Sequence, residues 1–418
     1  MMGEWKKYKL RDVCTILGDG LHGTPIYDDK GEFFFINGNN LKDGRISIKN
    51  DTKRVPYSEA NKYKKPLNNR TILVSINGTI GNVAKYQDEK CILGKSACFF
   101  NVKENVDLNF IYYVVANQQF KNTITQLATG TTIKNVSLET MRNYTFCIPP
   151  LSIQKQIGKI LSSFDDKIEL NRRINDNLEQ QAQALFKSWF VDFELFLREE
   201  FFKSDSLFGD IPVGWHIVAI KDLSVYITDY VANGSFASLR ENVRLYDKPN
   251  YAHFIRNTDL KAESYKMYVD KHSYEFLSKS VLEGGEIIIS NVGDVGSVFL
   301  CPKLEKPMTL GNNIILLRPK KDYLTFYLYM LFKGGIGQHL IDGVTGGSAQ
   351  RKFNKTDFKS IKLMMPSVNI LIKFDRIVKP IFSKIEENRD EISRLTSLRD
   401  TLLPKLMSGE LKINDINN

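Results

Sequence analysis

The side chains able to do chemistry are scattered through this sequence in a pattern that argues against catalysis. The five histidines, His22, His216, His253, His272 and His339, never take the His-Glu-x-x-His spacing that holds a metal on one helix face. The five cysteines form no Cys-x-x-Cys pair, so neither a zinc site nor a disulfide framework is expected. No Gly-x-x-x-x-Gly-Lys-Ser/Thr phosphate loop occurs, and the glycines of SINGTIGNV (75–83) and SNVGDVGSV (290–298) read as strand–turn–strand hairpins. Asp165-Asp166 reads as the solvated face of a helix. No cofactor and no metal are therefore expected. Several loops carry amides, hydroxyls and cations, the groups that bind phosphates and base edges. In the first half these are Asn37, Asn39, Lys42, Lys95, Ser96, Thr131, Thr132 and Lys134. In the second half they are Arg256, Asn257, Lys261, Asn312, Asn313, Ser348, Gln350, Arg351 and Lys352. A net charge of +10 and a pI of about 9.1 favour a polyanionic partner.

The elements that position these loops occur twice. Trp5 matches Trp215, FINGNNLK at Phe35 matches FIRNTDLK at Phe254, and ILVSINGTIGNV at Ile72 matches IIISNVGDVGSV at Ile287. LGKSACFFNVK at Leu93 matches LGNNIILLRPK at Leu310, and Ile148-Pro149 matches Met365-Pro366. Each pair is displaced by about half the chain, the mark of an internal duplication. Each copy shows strand-like runs at Phe33–Ile36, from Ile72 and from Leu93 or their counterparts. In the first copy a helical pattern follows from Asp107, then a short helix from about Ser137 and a last strand ending at Pro149. The run YLTFYLYMLF from Tyr323 is too short to span a bilayer and is expected as a buried helix.

After each copy comes a long heptad pattern. The first seam runs through Ile157, Leu161, Phe164, Ile168, Asn171, Asn175, Leu178, Ala182, Leu185 and Trp189, with Ser152 as a candidate N-cap. The second runs through Phe374, Val378, Ile381, Ile385, Asn388, Ile392, Leu395, Arg399 and Leu402. A straight helix over Ile153–Trp189 would be roughly 55 Å long and needs a partner. The two seams are expected to pair antiparallel, with Asn171 facing Asn388 and the second helix kinked or broken at Pro380 and Pro404. The expected fold is α+β: two pseudo-twofold-related α/β domains separated by a long antiparallel two-helix coiled coil. Its parts are 1–150, a spacer helix 151–203, 204–366 and a second spacer helix 367–418. Two such heads at a fixed separation suit two half-sites on one DNA duplex. Leu185, Phe186, Trp189, Phe190 and Phe193 present more aromatic surface than a thin rod covers, so this end, with the one near Leu402 to Leu411, is expected to dock partner subunits. The alternative for these rings is packing against the second head.

Four phrases carry a family resemblance: IPPLSIQKQIGKILSSFDDKIELNRR, LFKSWFVDFELF, GDIPVGW and LRDTLLPKLMSGEL. With the duplicated heads they resemble the DNA-specificity subunit of type I restriction-modification systems, over the whole chain and in the right order. The resemblance implies two target recognition domains that read a split double-stranded DNA sequence and a subunit without catalytic activity. It also implies docking of two modification (methyltransferase) subunits and of restriction subunits, with which it builds an ATP-dependent nuclease. Ile148-Pro149-Pro150-Leu151 lacks the polar first and aromatic last residue of the amino-methylating Asp/Asn-Pro-Pro-Tyr/Phe motif, in keeping with that. The few cysteines and the absence of an apolar signal core fit a cytoplasmic protein without a membrane partner. A stand-alone DNA-binding decoy and a helical scaffold without an enzyme partner are the competing readings.

Overall fold

The computed structural model describes residues 5–130, 133–196, 201–202, 209–347 and 350–411. They divide into two units, Met1–Asn171 with Asp390–Asn418, and Arg172–Arg389. In the first unit the main sheet is built on Ala97–Val102, a wholly buried strand, apolar but for Asn101, that is covered on both faces. It pairs antiparallel with Cys14–Asp19 and with Thr71–Ser75, which turns back into Val83–Lys85. A smaller sheet sets Phe33–Ile36 parallel to Cys91–Leu93 and antiparallel to Arg54–Val55. The helical pattern from Asp107 resolves into two helices, Leu108–Ala116 and Gln118–Gln126. Asn117 between them is extended and caps the second by accepting from the Gln119 amide. Ser137 caps Leu138–Asn143, and Thr145–Ile148 pairs antiparallel with Lys6–Lys9.

The second unit repeats the plan. Ile314–Pro319 lies between Val225–Asp229 and Ile287–Ser290, which turns into Val298–Leu300. Ala252–Ile255 is parallel to Met308–Leu310, and His216–Ala219 pairs with Lys362–Met365. The aromatic run from Tyr323 is the helix Thr325–Lys333, buried from Tyr327 to Phe332. Among the described residues no helix is long and apolar enough to cross a membrane.

The two heptad patterns are single helices, Leu151–Phe190 and Val368–Ser408, of 40 and 41 residues. The first starts one residue before Ser152, which therefore lies inside it rather than capping it. Each unit contains part of both, and in each the pairing is antiparallel. In the first unit Arg399 meets Asp165 at 2.6 Å and Lys167 meets Glu391 at 3.5 Å. In the second, Asn388 donates to Asn175 at 2.8 Å, and the Trp189 and Phe374 rings lie 5.8 Å apart. The seam follows the heptad: Ile157, Leu161, Ile168, Asn171 and Ala182 are buried, and Phe164, Leu178, Leu185 and Trp189 half-buried. On the second helix Phe374, Val378, Ile385 and Asn388 are buried, and Ile381, Ile392, Leu395, Arg399 and Leu402 half-buried. Within the first unit the amide of Asn171 donates to Glu391 at 2.7 Å, and within the second that of Asn388 donates to Asn175 at 2.8 Å. One expectation changes: the second helix is not broken at Pro380 or Pro404 but runs through both, each exposed. Each proline removes one backbone bond, and on the outer face water can satisfy the freed carbonyl while the inner face stays packed.

The aromatic end of the first long helix is not an uncovered surface, which corrects the expectation that Phe186, Trp189, Phe190 and Phe193 are left for a partner subunit. Phe186 and Phe190 are buried in the core of the second unit, and Trp189 and Phe193 are half-buried against it. The rings of Phe190 lie 4.9 Å from Phe374, 5.1 Å from Tyr327 and 5.9 Å from Trp215, and Phe193 packs on Trp215. In the first unit Leu403 and Leu406, near the end of the second helix, share a core with Ile157 and Leu161. Phe190→Ala is expected to cost the second unit about 3–5 kcal/mol. A denaturant melt followed by tryptophan fluorescence reads this, and an unshifted transition contradicts the packing described.

Candidate nucleic-acid interface

In the first unit four loops meet at one end of the main sheet. The Ser96 hydroxyl donates to Asn37 Oδ1 at 2.9 Å and accepts from the Gly38 amide at 2.9 Å. The Ile76 amide donates to Ser96 O, and the Val136 amide to Ile76 O. Asn77 donates its side-chain amide to Asn135 Oδ1 at 3.2 Å, and Thr129 and Asn135 exchange backbone bonds of 2.9 and 2.7 Å. Gly38 is required by this closure, since a Cβ there would lie 2.0 Å from the Ser75 hydroxyl. With the backbone thus tied down, Asn39, Lys42, Lys95 and Lys134 are exposed, while Asn37 and Ser96 are half-buried and bonded to each other. Thr131 and Thr132 lie outside the described residues.

The second unit closes its loops with the same backbone bonds. Asn291 N donates to Asn313 O, Phe353 N to Asn291 O and Gly293 N to Arg351 O, while Gly346 and Lys352 exchange two bonds of 2.9 Å. Gly311 N donates to Ile255 O as Gly94 N does to Ile36 O. The side chains differ. Arg256 does not reach out from the loop: its Nε and Nη2 grip buried Asp259 at 2.8 and 2.7 Å, a bidentate pair at the start of helix Asn257–Ala262. Asn257 and Lys261 converge on Asp294, at 3.3 and 2.5 Å. Asn312, Asn313, Gln350, Arg351 and Lys352 are exposed, with Arg351 paired to Asp342, and Ser348 lies outside the described residues.

Sequence reasoning had set aside the two glycine turns, yet they lie inside these clusters and bring Asn77 and Asp294 with them. The signal was available: each turn follows the strand whose end the other loops surround. Burial alone would raise the Asp294 carboxyl, but hydrogen bonds from Lys261, Ser297 and Asn257 hold it below its ordinary range, so it stays ionised at neutral pH. Each cluster is thus a locked backbone presenting amides, hydroxyls and charges, suited to hydrogen-bonding base edges and phosphates. Among the described residues no group of three or more His, Cys, Asp or Glu could hold a metal ion.

Comparison with known proteins points the same way. Residues 2–180 and 212–396 match the family described as type I restriction modification DNA specificity domain. The chain is 26% identical to the type I restriction enzyme MjaIX specificity subunit of Methanocaldococcus jannaschii, over 83% of this chain and 78% of that protein. It is 24% identical to the type I restriction enzyme HindI specificity subunit of Haemophilus influenzae, over 98% of this chain and 100% of that one. A crystal structure of the type I restriction-modification S subunit from M. genitalium shares the fold, with a TM-score of 0.52 at 21% identity over 97% of this chain and 96% of the other.

Gly38→Ala is expected to cost roughly 1–3 kcal/mol by overpacking against Ser75. Gly335→Ala, where an added Cβ meets nothing within 4 Å, should melt at or above the wild-type temperature. Equal melting temperatures for the two variants would contradict the close approach at Gly38.

Proposed function

Since the chain belongs to the type I restriction-modification DNA specificity family, we propose that it is the non-catalytic, sequence-reading subunit of such a system, acting on DNA in the cytoplasm. Each loop cluster reads one half of a split, asymmetric target, and the subunit docks two modification (methyltransferase) subunits together with restriction subunits. The observation that carries this is the repeated cluster: one set of backbone hydrogen bonds recurs at both sites while the side chains it presents differ. A common frame with different polar groups is what two unlike half-sites require.

The full-length chain, co-expressed with methyltransferase subunits, is expected to direct methylation to adenines within one split sequence. Exchanging residues 1–150 for another head should rewrite one half of that sequence and leave the other. An unchanged target after the exchange contradicts the assignment.

A second measurement separates phosphate contacts from base reading. Replacing both Lys95 and Lys134 by Ala should weaken binding to all DNA and make the dependence of log affinity on log salt shallower by about two. A slope equal to that of the wild type removes these lysines from the interface.

A further inference from the structure

The tip of the glycine turn in the second unit carries a carboxylate, where the first unit has Thr79. That is unusual chemistry for a surface that meets a polyanion, and its geometry is specific. One oxygen of Asp294, Oδ2, accepts from Lys261 Nζ at 2.5 Å, the Ser297 hydroxyl at 2.6 Å and Asn257 Nδ2 at 3.3 Å. Oδ1 accepts no hydrogen bond from the described residues, and the side chain is 47% exposed. Three donors, two from the helix Asn257–Ala262 and one from the turn itself, therefore fix the carboxylate by one oxygen and leave the other as an acceptor on a half-exposed side chain. Lys261 offsets the charge that phosphates would otherwise repel.

We propose that Asp294 determines specificity in the second unit, its Oδ1 accepting a hydrogen bond from the exocyclic amino group of a cytosine. The inference rests on the DNA-reading role given above. The choice among bases follows from what each shows in the major groove. Guanine presents two acceptors, N7 and O6, and thymine presents O4 beside a methyl group, all unfavourable next to a carboxylate. Adenine offers an amino donor, but its N7 acceptor lies alongside. Cytosine presents the N4 amino group with no neighbouring acceptor at that edge, so an anionic, donor-free side chain prefers it. Thr79 in the first unit, an exposed hydroxyl 3.4 Å from the Ser75 hydroxyl, can both donate and accept and exerts no such exclusion. The two turn tips thus give the two units different selectivity at equivalent places.

The test is selection from a randomised DNA pool by the full-length chain assembled with its methyltransferase subunits, comparing wild type, Asp294→Asn and Asp294→Ala. Exchange of residues 1–150 identifies which half of the selected sequence belongs to which unit. In the second unit's half, wild type should require cytosine at one position. Asp294→Asn should reduce that preference about ten-fold and admit adenine, whose N6 and N7 suit an amide, while Asp294→Ala should lose the preference without replacement. Neither variant should alter the other half. The proposal is overturned if both variants select the wild-type sequence, or if they bind every sequence equally less well, the behaviour of a merely structural loop anchor. A wild-type complex that selects no sequence would instead fail the DNA-reading role itself, an outcome distinguishable from the other two.

Discussion

An apolar seam along a 40-residue helix cannot be left in water, and the whole chain is arranged by how that seam is covered. Neither unit closes its core from contiguous sequence. The first needs Leu403 and Leu406 beside Ile157 and Leu161, and the second needs Ala182, Phe186 and Phe190 beside Phe374 and Val378. Each core is therefore completed by segments more than 180 residues apart, which makes closure non-local and slow to nucleate. The same requirement explains why Pro380 and Pro404 are tolerated. Each costs about 3 kcal/mol in an isolated helix interior, but both lie on the exposed side of a helix whose other side buries Val378, Ile385 and Leu406.

On top of this scaffold, frame and contact chemistry are separated. The bonds shared by the two sets of loops run between backbone groups, and side-chain pairs such as Ser96 with Asn37 or Arg256 with Asp259 add to them in one unit or the other. Backbone groups are the same whatever the sequence, so side chains at the exposed positions can change without loosening the loop. Glycine is kept where a Cβ has no room, as at Gly38. The exposed positions are then free to differ between copies, as Thr79 and Asp294 do. A recognition surface built this way varies its selectivity at little cost in stability, because most surface substitutions change stability by less than about 0.5 kcal/mol.

Much of this was legible in the sequence because it rests on periodicity and repetition. The matched runs at Phe35 and Phe254, or at Ile72 and Ile287, identify equivalent strands without reference to contacts. The heptad identifies the buried stripe from Ile157 to Trp189. What periodicity does not carry is the identity of partners. The rings of Phe186 and Phe190 look uncovered until Trp215 and Tyr327, from distant stretches, are brought against them. Arg256 likewise reads as a free cation in sequence, although Asp259, three residues on, is placed by the first helical turn to take its guanidinium.

The charges of the two clusters divide the work of binding unequally. In the first unit Lys42, Lys95 and Lys134 are exposed and take part in none of the ion pairs of the described residues. In the second, Lys352 is exposed and likewise outside those pairs, but Arg256, Lys261 and Arg351 are each matched to a carboxylate, Asp259, Asp294 and Asp342. Free ammonium groups displace counterions from DNA and give affinity that ignores sequence and falls with salt. A cation already paired contributes little of that, but it holds its partner carboxylate in place on the surface. On the DNA-reading role, the first cluster is built more for attraction and the second more for refusal. An ill-matched base would face a fixed negative charge there, and a penalty against wrong partners separates sequences as effectively as a reward for the right one.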